Sequence, residues 1–230
     1  MTVNLAVNTP PLESGDRLTR SEFERRYTNH PEIHKAELIE RVVYVASPVR
    51  ATRHGQPHAI IMAWLTGYWT ATPGVGLYDN TTVRLDEDNE PQPDALLRIE
   101  SEAIGNSIIS ADDYIEGAPE LVVEIAASSA SYDMNAKLNA YRRNGVKEYI
   151  VWQIYENKVD WFSIQNSLYI PLQPDTSGVI RSQVFPGLWL AVESLRERNL
   201  QQLLAIFQQG LQTPEHQEFV ESLNQKKETR

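Results

Sequence analysis

One apolar run in the chain, Leu121-Val122-Val123-Glu124-Ile125, carries a carboxylate where a strand covered on both faces would bury it. Near-continuous runs of this kind mark strands inside a sheet that has helices on both sides. An ionised side chain there is costly unless it is paired or bound to a cation. The next segment fits the same setting. Serines and Asp133 lead into a predicted helix over 134–144, Gly145 stands as its C-terminal cap, and a strand over 148–153 follows. Strand, helix, strand is a crossover unit, which gives the fold class as α/β with a mixed sheet.

The rest of the pattern extends this plan. Residues 1–18, with two prolines in tandem and little periodicity, read as a loose N-terminal arm. A first helix capped by Thr19 or Ser21 runs through 22–27 and stops near Pro31, and AELIERVVYV over 36–45 reads as strand with a turn near Glu40-Arg41. Ile60, Ile61, Trp64, Leu65 and Trp69 recur at helical spacing over 58–70. Strands are expected over 78–85 and 93–99, joined by the acidic turn DEDNE, over 158–164 as the hairpin partner of 148–153, and over 182–190. Leu200, Leu203, Leu204 and Phe207 give a helical stripe over 195–209, and a charged helix or tail follows Pro214. The expected organisation is an arm over 1–18, one main domain over 19–192, and a C-terminal helical extension over 193–230.

With 230 residues, 41% of them hydrophobic, the chain is long enough for a full core. It has no cysteine, which excludes disulfides, thiolate metal sites and a cysteine nucleophile. The N-terminus has neither the basic start nor the apolar run of a signal peptide, and no stretch approaches the ~18 apolar residues of a membrane span. A cytoplasmic location without membrane contact is the expectation. Neither G-x-S-x-G, nor H-E-x-x-H, nor a phosphate-cradling Gly-rich loop occurs. The serine cluster 128, 129 and 131 lacks a plausible oxyanion-hole setting. The net charge of −10, from 21 basic and 31 acidic residues, argues against coating nucleic acid by charge alone. Part of the acid lies in the terminal segment 215–228, and carboxylates that bind cations are neutralised in the working state.

Pro93-Asp94 opens one predicted strand, and Glu124 lies 30 residues on inside another. Two acids on adjacent strands can share one Mg²⁺ or Mn²⁺ through oxygen and leave coordination positions for water and a phosphate. Lys137, about one turn into the following helix, can reach back to the attacking water or the phosphate. Each also has an ordinary reading: a Pro-Asp turn, a Glu124 paired with some Arg or Lys, a solvated helix lysine. His54 and His58 bracket Gly-Gln-Pro at a helix start and read as capping or surface residues. His30, His34 and His216 read as surface positions, and Tyr141, one turn after Lys137 on the same helical face, reads as a packing residue, with support of the lysine as the alternative.

The run ELVVEIAASSASYDMNAKLNAYRRNGVKEYIVW, preceded by QPDALL and AELIERVVYVASP, resembles the Uma-two family, also called domain of unknown function 820, of the PD-(D/E)XK nuclease superfamily. The resemblance covers roughly residues 20–190, with several motifs in order. It implies a restriction-endonuclease-like fold, a mixed central sheet flanked by helices, with C-terminal helices appended. It also implies a divalent-metal site in which Glu37 adds an acid from the early segment, Asp94 and Glu124 are the core metal acids, and Lys137 takes the lysine role. One of His54 and His58 then gains a role against a phosphate or metal-bound water. Three positions depart from the pattern: Ala126 where E-x-K has lysine, Arg41 where glycine is usual, and Ala127 where proline is usual.

The reading is therefore a Mg²⁺- or Mn²⁺-dependent endonuclease acting on DNA, with Glu37, Asp94, Glu124 and Lys137 as its catalytic set. The resemblance adds a homodimer. The alternative is a nuclease-fold module that binds nucleic acid or a protein partner without cutting; the acidic balance favours it, and the intact set of three acids and a lysine does not.

Overall fold

A hairpin near the N-terminus shows how this chain makes turns without glycine. β1 (Ala36–Ile39) and β2 (Val42–Val45) pair antiparallel through Glu40 and Arg41, both at positive φ (52° and 63°). Two-residue hairpins need this conformation, and glycine or asparagine usually supplies it. Here the neighbouring chain compensates: the Asn89 side-chain oxygen accepts the Glu40 N–H at 2.9 Å, and Asp88 O accepts the Arg41 N–H at 2.9 Å. The acidic DEDNE segment is thus the support of the hairpin as well as a turn.

A computed structural model describes residues 9–48, 50–101, 104–127 and 130–228. Residues 1–8 of the expected arm, and Ser128 and Ser129 of the serine cluster, lie outside them. Residues 9–18 are not a loose arm: Leu12 and Leu18 are buried with Phe23, Leu38 and Val43, and Gly15 and Leu18 donate backbone hydrogen bonds to Val43 and Arg41. α1 (Arg20–Asn29) then starts at Thr19, whose side chain accepts the Glu22 N–H.

A π-helical turn over Ala51–Gly55 leads into α2 (Gln56–Ala71). β3 (Val75–Asp79) and β4 (Val83–Arg84) divide the single strand expected over 78–85, because Asn80 at φ 48° turns the chain between two sheets. β5 (Ala95–Ile99), β6 (Ser107–Ile109), β7 (Ile115–Gly117) and β8 (Leu121–Ala126) follow. The crossover helix is built from α3 (Ala130–Tyr132), a second π-helical turn (Asp133–Lys137) and α4 (Leu138–Asn144). Gly145 at φ 85° caps it as expected.

β9 (Glu148–Gln153), β10 (Lys158–Gln165) and β11 (Leu168–Pro171) form a meander. The expected strand over 182–190 is instead a hairpin of β12 (Val179–Arg181) and β13 (Trp189–Ala191). The expected helix over 195–209 is broken at Arg198 (φ 57°) into α5 (Val192–Arg196) and α6 (Leu200–Leu211), with Asn199 capping the second; α7 (Pro214–Glu228) ends the described chain.

The main sheet has the order β11-β10-β9-β8-β5-β3 and is mixed, with β8–β9 parallel and the other pairs antiparallel. β4, β7 and β6 make a small separate sheet. The two faces follow the strand period of two. Leu121, Val123, Ile125, Ile150 and Trp152 pack with α2 and α6, while Val122, Ala126, Tyr149 and Val151 pack with Tyr141 of α4. The leucine stripe of α6 is covered within the chain, with Leu203 and Phe207 fully buried beside α2. Among the described residues, no helix is long and apolar enough to cross a membrane.

Candidate active site

Glu124 lies in the same alternating set as Val122 and Ala126, so the pleat of β8 sends its carboxylate towards the crossover helix. β5 pairs with β8 with Ala95 opposite Val123, and continuing that register by one residue sets Asp94 level with Glu124. Past that point β5 no longer supplies backbone partners to β8. The Asp94 side chain does so instead, its Oδ2 accepting the Ile125 N–H at 2.8 Å.

Glu37 arrives from the β1–β2 hairpin, which is docked by paired backbone bonds between Leu38 and Glu90. Its Oε1 accepts the Gln92 N–H at 2.7 Å. Lys137 is the last residue of the second π-helical turn, and its Nζ lies 2.8 Å from Glu37 Oε1, 2.9 Å from Glu124 Oε1 and 3.6 Å from Asp133 Oδ1. Tyr141, one turn on, donates its hydroxyl to Glu124 Oε1 at 2.9 Å. The Tyr132 ring stands 5.3 Å from the ammonium and is braced by Tyr44, ring centroids 4.0 Å apart. Lys137, Glu124 and Asp133 are all at least 97% buried, since their exposures are 3%, 3% and 2%.

Asp94 is held by a second group of residues. Its Oδ1 meets His54 Nε2 at 3.1 Å and Lys35 Nζ at 3.4 Å. His58 Nε2 lies 3.0 Å from both the Asp94 carbonyl oxygen and Asp79 Oδ1, and the two imidazoles stack with centroids 5.9 Å apart. The capping or surface reading of these histidines is corrected: the π-helical turn before α2 swings His54 over Asp94.

Burial works against every charge in the cage, and the neighbours decide the outcome. At Asp94 burial is overcome by the His54 hydrogen bond, the Lys35 charge and the Ile125 N–H, so the carboxyl sits well below the usual range. At Glu124 burial, joined by the charges of Asp133, Asp94 and Glu37, outweighs Lys137 and pushes the carboxyl well up. Burial would strip the proton from Lys137, but Glu124, Glu37 and Asp133 hold it on and raise its pKa further. Four carboxylates thus face two ammonium groups, Lys137 and Lys35. Among the described residues no three carboxylate or imidazole groups converge to hold a metal ion as the side chains stand; the Lys137 ammonium takes the centre of the acid cluster.

A family model described as "Putative restriction endonuclease", Uma2, matches residues 20–193. The chain belongs to the Uma2 family. Its fold is similar to a crystal structure described as "a putative nuclease belonging to DUF820 from Anabaena variabilis ATCC 29413", with a TM-score of 0.58, 14% identity, and coverage of 78% of this chain and 98% of that one. At that identity the likeness is one of fold. No curated protein matches the chain. Family and fold together support a nuclease.

In this Uma2 chain the four residues singled out from the sequence meet at one place. Glu37, Glu124 and Lys137 share direct bonds, and Asp94 joins them through the Ile125 N–H beside Glu124. Sequence reasoning did not pick out Lys35, Asp133 or Tyr132. Two of these carried a signal: Lys35 precedes Glu37 by two, the same-face spacing of a strand, and Asp133 precedes Lys137 by four, the same-face spacing of a helix. Tyr141 packs against Tyr149 as expected, and it also hydrogen-bonds Glu124. His216 is buried between Thr72 and the Leu211 carbonyl, not a surface residue.

Proposed function

We propose that this protein is a divalent-metal-dependent endonuclease that hydrolyses phosphodiester bonds of DNA. The observation that carries the reading is the buried cage itself: Glu37, Glu124 and Asp133 around one lysine, with Asp94 beside them. Carboxylates in excess of cations are expensive to bury, and structure alone gives no return for the cost. Function does. The donors are hard oxygens from three different elements, the set that Mg²⁺ and Mn²⁺ favour and zinc or copper do not require. Both described hydrogen bonds of Glu124 use Oε1, and Asp94 keeps its charge at any ordinary pH.

Asp94, Glu124 and Glu37 are the residues that would hold the cation. Bound there, it would polarise a phosphate oxygen and favour ionisation of water at neutral pH. Lys137, kept protonated by its acids, offsets negative charge as it builds on the pentavalent phosphorus. Tyr141 holds Glu124 and the Ile125 N–H holds Asp94, while a cation would have to draw Glu37 away from the Lys137 ammonium to complete its set. A twofold homodimer would bring two such sites to the two strands of a duplex.

Calorimetric titration of Mn²⁺ into the wild type and Asp94→Ala is the test of the metal site. The expected result is one site per chain in the wild type and none in the variant. Heat absent from both titrations sinks the metal reading and leaves the non-cleaving module, which the net charge of −10 favours.

A further inference from the structure

In a chain this acidic, most arginines are spoken for. Arg20, Arg25, Arg26, Arg41, Arg84, Arg143, Arg181 and Arg196 each lie against a carboxylate. Three arginines that do not are gathered around the start of α2. Arg50, just before the π-helical turn, and Arg53, on it, are exposed, with no described carboxylate partner. Arg198, at the break between α5 and α6, is turned back so that its Nη1 donates to Gln56 Oε1 at 2.9 Å. Its left-handed backbone, φ 57°, is a conformation arginine adopts only at a cost.

An aromatic ring stands with them. Tyr155, in the β9–β10 turn, is 55% exposed, the second most exposed large hydrophobic residue described, and its hydroxyl accepts from Arg53 Nη1 at 2.5 Å. The Arg53 guanidinium carbon lies 5.0 Å from the ring centroid, which steadies one side of the ring and leaves the rest in water. Glu156 is next to it but forms no described ion pair with Arg53 or Arg198. A large ring held out in solvent by a cation with no described acid partner buries little of its surface in packing.

The rim is joined directly to the cage. His54, which contacts Asp94, follows Arg53 in the chain. Ile154 donates to the Ala126 carbonyl, so Tyr155 sits just beyond the paired ends of β8 and β9. Glu124 is opposite Val151, and four residues of strand from there to Tyr155 span no more than roughly 13 Å. That is about four nucleotide rises of a B-form strand.

Resting on the nuclease reading above, we propose that this rim is the site where the substrate strand enters. Arg50, Arg53 and Arg198 engage backbone phosphates, and Tyr155 stacks one unpaired base. The partner class is a nucleic-acid strand with accessible base faces, whether free or in a locally opened stretch of a duplex such as supercoiled plasmid, in preference to a fully paired duplex. Stacking on one aromatic and phosphate contact by neighbouring guanidiniums is the usual chemistry of single-strand capture, and it supplies locally the positive charge that the whole molecule lacks.

The test is fluorescence anisotropy with a labelled 20-nucleotide DNA, single-stranded and duplexed, in EDTA and again in Ca²⁺, across a salt series. The wild type is expected to bind the single strand more tightly than the duplex. Tyr155→Ala weakens single-strand binding about tenfold and erases that preference, whereas Tyr155→Phe, which keeps the ring, does not. Arg53→Ala weakens both forms and lowers the salt slope by about 0.7. Arg142→Ala, a half-buried arginine on α4 whose described side-chain hydrogen bond is to the Ser167 carbonyl, is the control and changes neither. Wild-type affinity and slope in both Arg53→Ala and Tyr155→Ala would overturn the proposal, as would a wild type that binds neither DNA in either buffer. Nicking that persists with unchanged KM in these variants would overturn the rim alone. Binding through the rim by a protein that never cuts would overturn the nuclease reading alone.

Discussion

At the scale of single residues, the cage is organised around Lys137. Its ammonium answers Glu37, Glu124 and Asp133 at once, so removing it leaves buried carboxylates facing one another. Lys137→Met, which keeps the volume, is expected to cost about 3–5 kcal/mol in urea unfolding at pH 7, as when one partner of a buried pair is deleted. Tyr141→Phe removes one hydrogen bond to Glu124 and is expected to cost about 1 kcal/mol in the same measurement. Of the acids in the cage, Glu124 was legible in the sequence because a charge inside VVEI contradicts its surroundings. His54 and His58 were not, because their place depends on a π-helical turn over Ala51–Gly55, and nothing in ATRHG distinguishes such a turn from ordinary helix or loop.

Elements divide in the same way. The crossover from β8 through α4 to β9 could be read because period, cap and strand all agree locally, down to Gly145 at positive φ. The segments that failed are those whose structure is settled by distant contacts. Strand 78–85 is split because β4 finds a partner in β7, and 182–190 becomes a loop between short strands because Phe185 and Leu188 turn into the core. The C-terminal helices belong to that core through close backbone approach. A Cβ at Gly210 would lie 2.3 Å from the Gly187 carbonyl oxygen and 2.8 Å from the Trp189 ring. Gly210→Ala is therefore expected to lower stability by about 1–3 kcal/mol, read from the urea midpoint. A neutral result would mean that α6 does not dock on the β12–β13 hairpin.

Over the whole molecule, buried acids set the response to pH, Glu124 in the cage and Glu148 and Glu90 outside it. Burial lifts Glu148 to about 7 from an ordinary 4.5, against the hydrogen bonds from Ser182 and Gln183. Burial, with Glu24 alongside, lifts Glu90 to about 8. Between the unfolded and folded values the folded chain binds more protons, so stability is fully present below about 4.5 and declines as pH rises towards 7 to 8. Glu148→Gln is expected to flatten this limb in unfolding measurements from pH 4.5 to 8, by roughly 3 kcal/mol at its upper end, with Glu90 and Glu124 providing the slope that remains. An unchanged slope would mean that Glu148 is not buried as an acid.

The proposed cleavage of DNA by the cage on this mixed sheet, in the presence of a divalent cation, is likewise a property of the whole molecule. The direct measurement is nicking of supercoiled plasmid in Mn²⁺ by the wild type and by Glu124→Gln, which keeps the shape of the side chain and removes its charge. Nicking by the wild type that stops on chelation is the expected result, with a loss on the order of a hundredfold or more in the variant. Equal nicking by both proteins, or nicking that survives chelation, would contradict it.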